Sequence, residues 1–262
     1  MDKPIDIILS THNNLGMTIW CVEALFAYTT LPFKLTVIDD SDDPTPQWLK
    51  WFQKKYDEKI NVIRPEEKLT CGNQIINIGV KNTTSEIFVY LGNSTHVQPQ
   101  WLETPLGLIE RSPEVGVVGF KLIKPSGVLE HAGMQFNPDM PHHINYGLNA
   151  SPWEHTYFRV MEDLDTVGWA LVLLRRIALP PEGLEEDYYI GFRGFCDVDN
   201  CLQIKKLGWK VMYCGYGCAK HYEAATRGIP TPEYYEEQDE NRKRFLKRWG
   251  KQDELETRSV EE

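Results

Sequence analysis

Four short polar clusters in this chain carry residue types that do acid–base, phosphate or metal chemistry. Ser10-Thr11-His12-Asn13-Asn14 follows an apolar run, Ile5–Leu9. Asp39-Asp40-Ser41-Asp42-Asp43 follows a second, Lys34–Ile38, and Gly92-Asn93-Ser94-Thr95-His96 follows a third, Ile87–Leu91. Phe195-Cys196-Asp197-Val198-Asp199 leads into an amphipathic segment. Carboxylates accept protons and hydrogen bonds, and imidazoles exchange protons near neutral pH. Each cluster alone has an ordinary explanation. An acidic turn is normally solvated, and Asp197 and Asp199 suit the first turn of a helix, where the dipole favours negative charge. Their shared placement is the stronger signal: ligands of open α/β sheets sit outside the carboxyl ends of the strands.

The elements that would position these clusters read clearly in the first half. Strands are expected at Ile5–Leu9, Lys34–Ile38, Ile60–Ile63, Ile87–Leu91 and Val115–Phe120, and helices at Leu15–Tyr28, Pro46–Tyr56, Gly72–Lys81 and Pro99–Glu110. Repeated β-α units of this length imply an α/β fold with a mostly parallel, doubly wound, Rossmann-like sheet flanked by helices. After Phe120 the rhythm changes. Ser126-Gly127 marks a turn, and residues 134–165 form a long irregular stretch expected to be a functional loop or lid. A strand-like run, Asp165–Leu174, a helix Val198–Leu207 ended by Gly208, a strand Lys210–Tyr213 and a charged helix Glu233–Trp249 follow, with a mobile tail from Lys251.

Composition narrows the function. The 262 residues suit one large domain, and 42 % hydrophobic residues are ample for its core. A formal net charge of −10 makes a polyanion-binding surface the weaker reading. No apolar run is long enough to span a bilayer, and Met1–Ser10 has no signal-peptide pattern, so a cytoplasmic protein is expected. The six cysteines form no C-x-x-C pair and are expected to be free thiols, with Cys21 and Cys201 buried in helices.

Nearly the whole chain resembles a family 2 glycosyltransferase of the GT-A type, in particular its rhamnosyltransferase-like branch. Ile5–Leu25 is similar to the family's opening strand, polar turn and first helix, and Val37-Ile38-Asp39-Asp40-Ser41 to its second strand with a nucleotide-reading Asp. Asn73–Gly79 resembles its Gly/Asn-rich helix, Val115–Met134 its stretch ending in His-Ala-Gly, and Gly168–Arg176 a strand ending in two arginines. Phe195–Gly208 resembles its "EDVD" helix, Tyr213–His221 a strand ending in His, and Phe245–Gly250 its terminal aromatic–Trp-Gly motif. The resemblance implies one GT-A domain, with a nucleotide-sugar half at about residues 1–120, an acceptor half at about 121–250, and a tail at 251–262.

It also implies roles. Thr11 and Asn13 would lie beside the nucleoside, and Asp39 would accept from the imide N–H of uracil or thymine. Asn77, Gly79, Asn93, Ser94 and His131 would complete the donor site for a UDP- or dTDP-sugar. Asp197 would be the general base, with Asp199 assisting or steadying the helix, for transfer to an acceptor hydroxyl with inversion. Cys196 replaces the acidic residue that usually precedes the base. The family's third loop carries an Asp that binds Mn²⁺ or Mg²⁺, and Ser94 takes that place here. Hard cations prefer carboxylate oxygens, so a divalent cation is expected to bind weakly or not at all. The alternatives are a softer-metal site at His96 and His221, or replacement of the metal by a basic side chain.

Other residues read less sharply. His142, His143 and His155 are expected on an ordinary polar surface. Trp153, Tyr157, Phe158 and Trp169 either stack on sugars or pack the long loop. The basic terminal helix could lie on an anionic membrane beside a lipid-linked acceptor, or on nucleic acid. Its Glu and Asp neighbours favour a solvent-exposed helix braced by i,i+4 pairs. The expected acceptor is a glycan, a lipid-linked saccharide or a cell-surface polysaccharide. Rival readings are a non-catalytic protein that keeps the fold to bind nucleotide or glycan, and a DNA-base-modifying glycosyltransferase. A nucleotidyltransferase is disfavoured because Ser10–Gly16 has no Lys or Arg.

Overall fold

The computed structural model describes residues 4–136, 140–144, 146–149, 159–192, 194–223, 225 and 231–250. The elements run β1 (Ile5–Thr11), α1 (Leu15–Tyr28), β2 (Phe33–Asp39), α2 (Thr45–Lys55), β3 (Ile60–Ile63), α3 (Gly72–Lys81), β4 (Ile87–Gly92), β5 (Thr95–Val97), α4 (Glu103–Arg111), β6 (Val115–Ile123), β7 (Leu129–His131), β8 (Met134–Phe136), β9 (Pro141–His143), β10 (Val160–Met161), β11 (Leu171–Arg175), α5 (Cys196–Lys206), β12 (Lys210–His221) and α6 (Pro232–Trp249). The main sheet has the order β10-β12-β6-β11-β4-β1-β2-β3. Strands β3, β2, β1 and β4 are parallel, as the β-α rhythm predicts.

Burial explains this arrangement. Helices α1, α2 and α4 cover one face, packing Cys21, Leu25, Leu49, Phe52 and Ile109 against Leu9, Val37 and Val89. Helices α3 and α5 cover the other, where Ile75, Ile76, Cys201 and Ile204 meet Ile8, Ile38 and Val172. The strands are apolar on both faces because both are covered. A third cluster, with Tyr189, Val198 and Phe245, seats α6 on α5. Among the described residues no helix is long and apolar enough to cross a membrane.

The second half departs from the expected pattern in instructive ways. β11 runs antiparallel between β4 and β6, so the sheet is mixed. The strand expected at Asp165–Leu174 is regular only from Leu171 and runs to Arg175, because the chain at 167–170 turns to bring Trp169 to the site. β12 continues well past Tyr213, through an irregular register between Cys214 and Cys218, to pair with β5. A Cβ at Gly217 would lie 2.4 Å from the Trp101 carbonyl oxygen, so this passage requires glycine. Helix α4 begins at Glu103 rather than Pro99. Gln100 adopts φ 60° in the intervening turn, and Trp101 is buried there. Within the long stretch, β8 and β9 pair, with Met134 opposite His143. Trp153, His155, Tyr157, Phe158 and the tail from Lys251 lie outside the described residues.

Candidate functional site

A cavity of about 460 Å³ opens at the carboxyl ends of β1, β2 and β4. Ser10, Thr11, His12, Asp40, Asn93 and Ser94 form one wall; Trp169, Phe192, Cys196, Asp197 and His221 form the other. Asn73, Tyr90 and Asn200 line it between them. All four polar clusters therefore contribute to one site.

On the strand-end wall, polar groups bind mostly one another. Thr11 Oγ1 donates to Asp39 Oδ1 at 2.9 Å, and Arg64 Nη1 reaches Asp39 Oδ2 at 2.8 Å. The Ser41 amide also donates to Asp39, which is 1 % exposed and does not line the cavity. The carboxylate presented there belongs to Asp40, paired with Lys68 at 3.3 Å. Asn13 (φ 55°) is a brace. Its side-chain oxygen accepts from the Asp42 and Asp43 amides, and its own amide donates to Ser41 Oγ at 2.8 Å. Asn93 ties the turn after β4 to the first loop by donating to the Asn13 carbonyl at 3.0 Å and to Thr18 Oγ1 at 2.9 Å.

Of the donor-site residues assigned from the sequence, Asn13, Asp39, Asn77, Gly79 and His131 do not line the cavity, and Asn77 and Gly79 serve the packing of α3 instead. Asn77 donates to the Leu184 carbonyl and Glu186 Oε1, and accepts from the Leu184 amide, so it anchors the segment before α5. Gly79 permits close packing of α3 on β1, since a Cβ there would lie 2.5 Å from Ile8 Cγ2. The polar residue that α3 does bring to the cavity is Asn73, one turn earlier. It exchanges hydrogen bonds with Asn200 and donates to the Glu185 carbonyl.

The opposite wall holds the least compensated groups. Asp197 enters α5 after Phe195, whose φ of 70° turns the chain into the helix. Its carboxylate accepts from the Val198 amide at 2.9 Å and the Trp169 amide at 3.3 Å. Burial nevertheless pushes its pKa above the ordinary carboxylate value. Burial likewise pushes the neighbouring Cys196 thiol up to about 12, leaving it a neutral wall residue. Asp199, two residues on, is turned away. It accepts from Tyr189, Gln203, Arg248 and Trp249, and is 2 % exposed. Its carboxylate fastens α6 to α5 and does not line the cavity, which favours the steadying role of the two expected for it.

Histidines complete this side. His131 is fully buried, and its Nε2 accepts from the amides of Gly133 (3.3 Å) and Gly168 (3.2 Å). Its proton is therefore on Nδ1, which donates to His143 Nδ1 at 3.0 Å. Burial, with His143 and His221 nearby, holds the His131 pKa well below the usual histidine range. His143 is thus half-buried against the buried His131 rather than fully on the surface, a placement set by the β8–β9 pairing that the loop sequence does not signal. His221 lines the cavity and donates from Nδ1 to Glu130 Oε1 at 2.5 Å. Glu130 was not singled out from the sequence.

The structure does not bring His96 to this site. Thr95 pairs with His221 and Lys220 with His96, and successive side chains of a strand project to opposite faces. His96 packs instead against Trp20 and Tyr222. Among the described residues no three His, Cys, Asp or Glu side chains are grouped to hold a metal. At the β4 turn the available oxygens are the hydroxyl of Ser94 and the amide of Asn93. This donor set does not fit Mn²⁺ or Mg²⁺, which proteins usually hold through one or two carboxylates.

The model of the family described as Glycosyl transferase family 2 matches residues 6–162. The chain belongs to this family. Among curated relatives of this family 2 chain, "Uncharacterized protein y4gI" of Sinorhizobium fredii (strain NBRC 101917 / NGR234) is 28 % identical over 250 residues, covering 92 % of this chain and 26 % of that protein. O-antigen biosynthesis protein RfbC of Myxococcus xanthus is 25 % identical over 247 residues, covering 88 % of this chain and 18 % of that protein. The chain thus spans about a quarter or less of their length. The crystal structure of GalNAc-T7 with UDP, GalNAc and Mn2+ matches with a TM-score of 0.72 at 14 % identity, covering 93 % of this chain and 48 % of that one. At that identity the likeness is one of fold: a GT-A type α/β domain, as the resemblance implied.

Proposed function

We propose that this chain is a glycosyltransferase domain that moves a sugar from a nucleotide-diphosphate donor to an acceptor hydroxyl with inversion. The observation that carries the reading is the half-buried Asp197 carboxylate, with its raised pKa, facing the strand-end wall across a cavity of about 460 Å³. The base and ribose would lie toward Thr11, His12 and Asp40. A carboxylate accepts but cannot donate, so it suits the imide N–H of a UDP or dTDP donor. Here Asp40 presents that carboxylate, while Asp39, clamped by Arg64, sets the position of Thr11. The diphosphate would lie along Asn93 and Ser94, and the donor sugar toward Trp169.

In the step itself, Asp197 takes the proton of the acceptor O–H as that oxygen attacks the anomeric carbon. The bond from that carbon to the diphosphate oxygen breaks, and the nucleoside diphosphate leaves. Attack from the side opposite the leaving group inverts the centre. General-base help contributes about 10²–10⁴-fold. The raised pKa suits the role, since the acid formed in the step is then better matched to the pH at which it must give up its proton.

The same proposal includes the division into a donor half (about 1–120) and an acceptor half (about 121–250), and membership of the rhamnosyltransferase-like branch. The similarity to RfbC supports a saccharide or lipid-linked acceptor. Six free cysteines support a cytoplasmic setting, with contact to a membrane surface if the acceptor is lipid-linked. Incubation with UDP- and dTDP-sugars, followed by nucleotide release and calorimetry, tests the proposal. Binding with no turnover across a broad acceptor panel identifies the non-catalytic alternative.

A further inference from the structure

The mismatch between the β4 turn and a divalent cation has a structural counterpart on β12. The antiparallel pairing sets His221 opposite Thr95, next to Ser94, and the Tyr222 amide donates to the Ser94 carbonyl at 2.9 Å. An imidazole therefore stands beside the position where the family resemblance places the metal-binding Asp. Its orientation is fixed from behind: Glu130, 7 % exposed, holds Nδ1 at 2.5 Å, which leaves Nε2 as the nitrogen not committed to Glu130 on a ring that lines the cavity. The second Glu130 oxygen is buried and has no hydrogen-bond partner among the described residues. That carboxylate keeps acceptor capacity behind the ring.

Resting on the donor reading above, we infer that this chain binds the diphosphate of its donor without a divalent cation, and that the Glu130–His221 pair takes the cation's place. With a diphosphate bound, His221 donates from Nε2 to a phosphate oxygen and from Nδ1 to Glu130, so that the ring is held between two anions. Hydrogen bonds to charged groups are the strong ones, and phosphate oxygens are good acceptors for them. The alternative, a metal held by His221 and Ser94, offers no protein carboxylate, whereas a hard cation beside substrate phosphates is usually held by one or two.

Calorimetric titration of UDP, dTDP, GDP and UMP, in EDTA and then in Mn²⁺, decides between the two. The expected result is diphosphate affinity that changes less than about twofold between the two conditions, against about ten- to hundredfold loss in His221→Gln. UMP affinity should change much less than UDP affinity in that variant. Because His221→Gln leaves Glu130 buried without its partner, the double variant Glu130→Gln/His221→Gln is titrated alongside and should show the same loss. His96→Gln should bind UDP like the parent. Diphosphate binding that requires Mn²⁺, with that requirement lost in the His221 variants, overturns this inference and leaves the donor reading standing. Parent-like UDP affinity in both His221 variants also overturns it. Absence of nucleotide binding under every condition defeats the donor reading, and this inference with it.

Discussion

The two walls of the cavity treat polar groups in opposite ways. On the strand-end wall, Thr11, Asp39, Ser41, Arg64, Asn13 and Asn93 hydrogen-bond to each other or to nearby backbone within a network joining the loops after β1, β2 and β4. On the α5–β12 wall, Asp197 has two backbone donors and a raised pKa, and Glu130, on β7 behind His221, keeps a buried oxygen with no partner among the described residues. The first wall is a pre-formed cradle. The second keeps groups that the protein's own hydrogen bonds leave only partly compensated. The difference teaches that residues of the same type, such as Asp39, Asp197 and Asp199, divide into frame and chemistry by who their partners are.

The sharpest attack on this contrast is Asp197→Asn. Turnover should fall about 10²–10⁴-fold, with UDP affinity unchanged by calorimetry. Stability supplies a second readout. The folded-state pKa of Asp197 is raised, so the folded protein holds this proton more tightly than the unfolded chain does. Its contribution to stability is thus full at pH below the ordinary value of 3.8 and is lost as pH rises through the raised value. Asp197→Asn should therefore melt higher than the parent at pH 7, and the gain should vanish at low pH. An unchanged rate would remove Asp197 from the chemistry and erase the distinction between the walls.

Asp199→Ala should act in the other way. It strands Arg248, the Trp249 indole N–H and the Tyr189 hydroxyl, and should cost about 3 kcal/mol in urea denaturation. Asp199→Asn, if it folds normally, should keep most turnover, and its inactivity would return Asp199 to the reacting groups. Gly79→Ala should cost about 1–3 kcal/mol by overpacking against Ile8, with donor affinity preserved in the folded fraction. Asn13→Ala, on the cradle side, should cost about 1 kcal/mol through its lost hydrogen bonds and weaken UDP binding modestly. The smallest effect belongs to Asp239→Asn on α6, which breaks only the exposed pair with Lys243 and should leave the melting temperature unchanged.

Much of the first half was legible because its signals are local. Leu15–Tyr28, Ile60–Ile63 and Gly72–Lys81 begin and end where apolar spacing and turn residues place them. The strand-end clusters follow from the same spacing, since a β-α unit puts its loop at the carboxyl end of the strand. The terminal helix was also readable: Lys243 pairs with Asp239 and Arg244 with Glu240 at i,i+4. Its Arg248 and Trp249, however, turn inward to Asp199, a contact about fifty residues away in sequence that no local pattern signals. His143 was read as surface for the same reason, since its partner His131 is brought to it by strand pairing.

From the sequence alone came the α/β class and the four chemical clusters, which depend on residue type and on spacing along the chain. The candidate base Asp197 and the missing carboxylate at Ser94 came from the sequence's resemblance to the family's motifs. Tertiary structure alone decided which polar groups are already satisfied and which face the cavity. It set Asp40 rather than Asp39 at the wall, assigned Asp199 to the α5–α6 clasp, separated His96 from His221 and put Glu130 behind the latter. Each of these follows from strand register or from a partner distant in sequence. Periodicity can place a side chain on an element, but it cannot say what that side chain will meet.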